Sequence, residues 1–286
     1  MRLVLSLNGL HEVQMNKSRK SNGRSVHKGK SVRVRITKII FLLFLLIGSL
    51  AAVMVFSPLL LLSDIYVDET TNYTAEEIIN ASGIKIGENA INHLGGSLEH
   101  LLNLRMGIAE KEVEKLPYVK TAIIKYEFPK TVNISVTERN ALALIRYFGN
   151  FLLVDEEGYV LEVKNQLDDQ HPQIRGVQLD KFALGDKIQT NKPEKIAWVV
   201  QLLQSLNSVD MDSTQKLIDV VDWIDILENR ELYISLDDRI TAKIKINDEL
   251  TYRLSYLKEL YYNHIKPDEK GMIDFYDDKY ARFIAE

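Results

Sequence analysis

Asp155, Glu156 and Glu157 stand in a row, and neighbouring carboxylates are what a general acid and a general base require. They lie between two apolar runs and directly before Gly158, a setting that reads first as a solvated hairpin turn. His93 and His100 are seven positions apart with Gly95-Gly96 between them. Zinc ligands on one helix usually lie about three or four apart, so no metal pair is expected. Asp219, Asp222 and Asp225 recur every third residue, but a calcium loop needs a D-x-D-x-D-G pattern, and the three read as polar edging of a strand. No G-x-S-x-G, G-x-x-x-x-G-K-[ST] or H-E-x-x-H occurs, and the absence of cysteine removes any thiol nucleophile or thiolate site. The expectation is a chain with no catalytic, cofactor or metal residues and no small-molecule substrate.

Chemistry then moves to surfaces. Residues 272–286 form a strand and tail that hold Ile273, Phe275, Tyr276, Tyr280 and Phe283. A terminal strand at a sheet edge offers unpaired backbone donors and acceptors to a partner, and aromatic side chains supply contact area. The competing reading is that these side chains seal their own core, and the residues alone leave both open.

The elements that must present such a surface begin at a membrane. From Ile39 to Leu62 the chain runs 24 residues without an ionisable side chain, roughly 36 Å as a helix against a hydrocarbon core of about 30 Å. A cleaved signal peptide would have a shorter apolar region, about 7–15 residues, and a small-x-small cleavage site, so an uncleaved anchor in the lipid bilayer is expected. Residues 1–38 carry a net charge of +9 and residues 64–286 a net charge of −13. Short basic flanks stay in the cytoplasm, which makes the chain a single-pass type II protein with its remaining domains outside. The arm lacks aromatics or a nucleic-acid motif and reads as a topology signal resting on anionic headgroups, while the acidic exterior argues against nucleic acid as a partner. Met15-Asn16-Lys17 is a candidate start, because residues 1–14 read unlike the basic run after them. Without disulfides the exterior is held by its core alone, for which about 220 residues suffice.

Outside the membrane, residues 64–68 read as a strand, and Thr74-Ala75-Glu76-Glu77 is a capping box that opens a helix ended by Gly83. Residues 87–97 read as a loop. Leu98, Leu101, Leu102, Leu104, Ile108, Val113 and Leu116 keep helical spacing until Pro117, and predict a second helix. Two strands follow, at 119–128 and 131–137, with Val132, Ile134 and Val136 alternating as on a sheet with one buried face. Further on, strands are predicted at 141–148, 151–154, 159–162, 220–226, 232–236, 240–246 and 272–276, and helices at 192–206 and from Leu250 to Tyr261. The fold class is α+β.

Pro117-Tyr118-Val119-Lys120-Thr121-Ala122, then Phe128-Pro129-Lys130-Thr131-Val132-Asn133-Ile134-Ser135-Val136-Thr137-Glu138-Arg139, resembles the POTRA-domain signature "P-x-V…P-x-T-x-x-I-x-V-x-E-R". With the basic arm and the single span, the chain resembles the FtsQ/DivIB family of bacterial cell-division proteins. Residues 154–160 are similar to the family's "V-D-x-x-G-x-V" hairpin, and His171-Pro172-Gln173-Ile174-Arg175-Gly176 to its "L-P-x-I-x-G". Glu69-Thr70 stands where the family often has Gly-Asn, and Ala141 where it often has proline.

The resemblance implies a basic cytoplasmic arm (1–38), a transmembrane helix (39–62), a POTRA domain (63–139), a mixed sheet-and-helix β domain (140–271) and a C-terminal strand and tail (272–286). It also implies a non-enzymatic division protein that meets FtsL and FtsB/DivIC-type partners outside the membrane at the septum and helps regulate septum formation. The FtsB/DivIC type would add a strand at Ile273, Phe275, Tyr276, Tyr280 and Phe283, with Ile273-Asp274-Phe275 matching the family's "V-D-L/V" step. A membrane-anchored hydrolase or a ligand sensor is the alternative.

Overall fold

The computed structural model describes residues 29–56, 58–276 and 280–286. Most of the basic arm, and the candidate start at Met15, lie outside the described residues. The chain divides into two compact units, residues 1–56 and 57–286.

In the first unit, helix α1 runs Gly29–Phe56. It begins ten residues before the expected span and ends six before its close. Among the described residues no helix is long and apolar enough to cross a membrane. Leu60 and Leu62, expected inside the span, are buried in the core of the next domain, and the Leu62 backbone exchanges hydrogen bonds with Glu88 and Gly87.

That core belongs to a three-stranded sheet in the order β1-β3-β2. β1 (Asp64–Val67) runs parallel to β3 (Thr131–Glu138), and β2 (Val119–Glu127) is antiparallel to β3. The alternation read from the sequence holds: Ala122, Ile124 and Tyr126 on β2 and Val132 and Ile134 on β3 point into the core. Helix α2 (Ala75–Ser82) starts at Thr74, whose side chain accepts from the Glu77 N–H while the Glu77 carboxylate accepts from the Thr74 N–H. It ends at Gly83 in the left-handed conformation, φ 69°. The predicted second helix is instead two short ones, α3 (Leu98–Leu102) and α4 (Gly107–Val113). A Cβ on Gly107 would stand 2.8 Å from the Gly95 carbonyl oxygen and 2.8 Å from His100 Cδ2, so the chain folds back on itself at a position where only glycine fits.

The larger sheet has nine strands in the order β12-β11-β10-β9-β8-β7-β4-β5-β6. One half comprises β4 (Ala143–Tyr147), β5 (Asn150–Val154), β6 (Val160–Lys164) and β7 (Gln173–Arg175). The other comprises β8 (Val221–Ile226), β9 (Glu231–Leu236), β10 (Ile240–Lys245), β11 (Gly271–Asp274) and β12 (Arg282–Ala285). Parallel pairing occurs at β4/β7, β7/β8 and β10/β11. Helices α5 (Pro193–Asp210) and α6 (Leu250–Asn263) pack into the same core. Val199, Leu202, Leu203, Leu254 and Leu257 bury against Ile224, Ile234 and Ala242. Between the helices Asp210 is buried, accepting from the N–H groups of Leu217 and Ile218 and from Lys258 Nζ at 2.8 Å.

Candidate partner-binding edge and domain junction

The expected terminal strand is present but is not the outermost one. β11 pairs in parallel with β10 on one side, Ile273 opposite Ala242, and antiparallel with β12 on the other, Ile273 opposite Phe283 and Met272 opposite Ile284. Within the expected strand and tail, 272–286, a second strand, β12, takes the edge position, and β11 stands one place in.

This divides the candidate contact residues. Ile273 and Phe275 are buried in the large core, where the Phe275 ring meets Tyr256 edge-on at 6.0 Å; for these two the competing reading, sealing their own domain, is what the structure places there. Tyr276 and Tyr280 are each 61% exposed and Phe283 is 37% exposed. The Arg282 guanidinium lies 5.9 Å from the Tyr276 ring and 3.4 Å from Asp274, which ties β12 to the strand behind it.

All four residues of β12 are exposed. The Glu286 N–H donates to the Lys270 carbonyl, so the alternation of an antiparallel ladder turns Ile284 and Arg282 toward β11 and leaves the backbone groups of Phe283 and Ala285 facing outward. A Cβ on Gly271 would stand 2.2 Å from the Ile284 carbonyl oxygen, so glycine is what lets β12 approach.

A second arrangement was read differently from the sequence. Asp155, expected in a solvated turn, is fully buried. One carboxylate oxygen accepts from the N–H groups of Glu157 and Tyr159 and the other from Arg139 Nη1 at 2.6 Å. Arg139 also donates to Glu157 at 3.0 Å and lies 3.6 Å above the Tyr159 ring. Burial works against the charge on Arg139, yet Asp155 and Glu157 outweigh it and push its pKa up. Glu157 is held below the usual range by the Arg139 hydrogen bond first and Lys120 after it. Lys120 reaches Glu156 at 2.8 Å, and the Tyr118 hydroxyl donates to Glu162 at 3.0 Å; burial and then that hydrogen bond raise the Tyr118 pKa. The three carboxylates are thus the far side of a joint between the two sheets, with both oxygens of Asp155 engaged.

Three further candidates sit beside protein partners. His93 lies 2.7 Å from Glu88, and His100 lies 3.2 Å from Glu110. Asp222 accepts from the Ser235 hydroxyl and the Asp238 N–H. Among the described residues no group of three or more His, Asp or Glu side chains is disposed to hold a metal ion.

Residues 60–139 match the family model described as POTRA domain, FtsQ-type. The Cell division protein DivIB of Clostridium botulinum (strain Hall) is 24% identical over 250 residues, 86% of this chain and 90% of that protein. The Cell division protein FtsQ of Corynebacterium glutamicum is 22% identical over 204 residues, 69% of this chain and 82% of that one. A solved extracytoplasmic domain of DivIB from Geobacillus stearothermophilus aligns with 46% of this chain and 99% of that one at 12% identity and a TM-score of 0.33, a likeness too slight to argue from. Residues 60–139 thus carry an FtsQ-type POTRA domain, and the chain is similar to DivIB and FtsQ cell-division proteins along most of their own length.

Proposed function

We propose that this chain is a single-pass, non-enzymatic division protein that works by binding, and that the outer edge of β12 takes a strand from an FtsB/DivIC-type partner. The observation that carries the reading is β12 itself: a four-residue strand, exposed along its length, at the end of a nine-stranded sheet. Such an edge binds through backbone hydrogen bonds, with flanking side chains setting specificity. Tyr276, Tyr280 and Phe283 are the exposed apolar groups beside it. FtsL-type coiled coils and surfaces of the POTRA domain complete the assembly, and the outcome is regulation of septum formation.

The apolar sequence around α1 supports one membrane crossing, with the basic arm cytoplasmic and residues 64–286 outside at the septum. Ile39, Phe41, Leu42, Phe44 and Leu46 are each more than half exposed on α1, as lipid-facing side chains would be.

Truncation at Met272 would uncover the core by removing Ile273 and Phe275, so the test is Ala285→Pro. Proline deletes one outward N–H at a position where an edge strand tolerates it. Full-length protein in nanodiscs should retain its unfolding midpoint and lose at least tenfold in affinity for the extracytoplasmic segment of its FtsB/DivIC-type partner. Unchanged affinity would remove β12 as the docking edge. A fluorescent fusion that stained the membrane evenly, without midcell accumulation, would count against the division role.

A further inference from the structure

Helix α3 leaves its leucines in the open. Leu98, Leu101 and Leu102 lie three and four positions apart, on one face, and are 81%, 51% and 84% exposed. Of the α3 side chains His100 alone is half-buried, and it turns toward Glu110 of α4. Glu110 is buried and accepts two hydrogen bonds from Arg105, at 2.8 Å each, a third from the Ile124 N–H, and lies 3.2 Å from His100 Nε2. With His100 and Arg105 drawn in toward Glu110, the leucines between and around them must point out. Leu104 and Ile108 continue the exposed set.

Register places this face at one end of the POTRA sheet. The Leu104 carbonyl accepts from the Tyr126 N–H, next to the β2–β3 hairpin, whose tip residue Phe128 is 72% exposed. The Ser63 N–H donates to the Lys130 carbonyl at the same hairpin, Leu61 bridges Asn89, and Ile86, three positions before Asn89, is 66% exposed. The chain therefore enters the domain at the end where its exposed apolar side chains gather. Residues 57–59 are all that separate α1 from Leu60, and an extended chain advances at most about 3.5 Å per residue.

We infer that this end of the POTRA domain docks on the lipid surface, with Leu98, Leu101, Leu102 and Phe128 entering the interfacial layer. The inference rests on the reading that α1 crosses the membrane. A tether this short keeps the entry end of the domain near the bilayer, and an apolar face at the headgroup boundary gains the burial that no element of its own fold provides.

The chain has no cysteine, so single labelling sites can be introduced at exposed positions without competition. Leu102→Cys, Thr121→Cys and Leu46→Cys, each carrying an environment-sensitive fluorophore, would be placed in phosphatidylcholine nanodiscs holding one full-length chain, with doxyl-labelled lipid as quencher. Thr121 is exposed on the same sheet, about 17 Å along β2 from Tyr126. The expected result is a blue-shifted, strongly quenched label at position 102, a quenched label at 46, and a label at 121 that behaves as in water. Quenching at 46 with position 102 matching 121 would overturn the docking and leave the span standing. No quenching at 46 would sink the span reading and the docking with it. Shielding at 102 that appears only with two chains per disc, or only on adding a partner protein, would assign the face to a protein and overturn the lipid assignment.

Discussion

Arg139 Nη1 sits 2.6 Å from Asp155 Oδ2, and this pair joins the residue that follows the last POTRA strand to the β5–β6 hairpin of the large sheet. Its neighbour Glu138 does the complementary work inside the POTRA domain, accepting from the N–H groups of Thr71 and Asn72. Burial alone would raise the Glu138 pKa, but those two N–H donors hold it low. The Glu-Arg step thus faces two ways, the carboxylate closing the loop after β1 and the guanidinium locking the next domain.

Removing Arg139 leaves Asp155 as a buried charge without its cation. Breaking a buried pair from one side costs about 3–5 kcal/mol, so Arg139→Ala should lower the unfolding midpoint sharply in a urea titration of the full chain in detergent micelles. Glu156→Gln, at a more accessible pair with Lys120, should cost under about 1 kcal/mol. Equal effects would mean that the joint is held by packing around Tyr159 rather than by charge.

Acid should loosen the end of the β6 strand. Asp168 is partly buried, which by itself would raise its pKa, but Lys164 and then His171 outweigh burial and bring it down to about 2 from the ordinary 3.8. A carboxyl whose folded pKa lies below its unfolded value stabilises above the unfolded value, and that contribution is lost as pH falls through the folded one. The window is therefore about pH 4 down to about pH 2, and the loss is of order 2 kcal/mol. Stability measured across this window should fall less steeply in Asp168→Asn than in the parent, and parallel curves would refute the assignment.

Gly107→Ala tests the fold-back between α3 and α4. The added methyl meets the Gly95 carbonyl and the His100 ring at 2.8 Å, and relief by backbone movement typically costs about 1–3 kcal/mol. The substitution should also weaken the His100–Glu110 contact, visible as a shift of the His100 ring resonances. Wild-type stability with unchanged resonances would mean that the loop yields freely.

These positions also mark where the amino-acid sequence was legible. Thr74 and Glu77 form their capping box because both partners lie within one turn, and the alternation of Val132, Ile134 and Val136 had only one sheet face to fill. The run from Leu98 to Leu116 keeps helical spacing, and Val113 and Leu116 do pack on the core, yet Leu98, Leu101, Leu102 and Leu104 are exposed where His100 and Arg105 turn to a buried Glu110, a preference that no hydrophobic period encodes. Asp155 looked like a turn residue because its burial depends on Arg139, on the other domain. β12 was missed because four residues, Arg282-Phe283-Ile284-Ala285, are too few to show a period; the glycine at 271, which admits a close-packed neighbour, was the available signal.

The division of the C-terminal aromatics gives the last expectation. Phe275→Ala and Ile273→Ala empty buried volume and should each cost about 2–5 kcal/mol of stability, whereas Tyr276→Ala, at an exposed position, should stay within about 0.5 kcal/mol. If β12 is the docking edge, the order reverses for binding measured at a temperature where all variants are folded. Tyr276→Ala and Phe283→Ala then lose affinity for the partner strand through lost contact area, while Phe275→Ala keeps it so long as β11 stays paired. Paired unfolding and binding titrations on the same preparations decide the matter. A Phe275→Ala protein that is folded yet binds no better than Tyr276→Ala would move the contact from the edge of β12 to the face of β11.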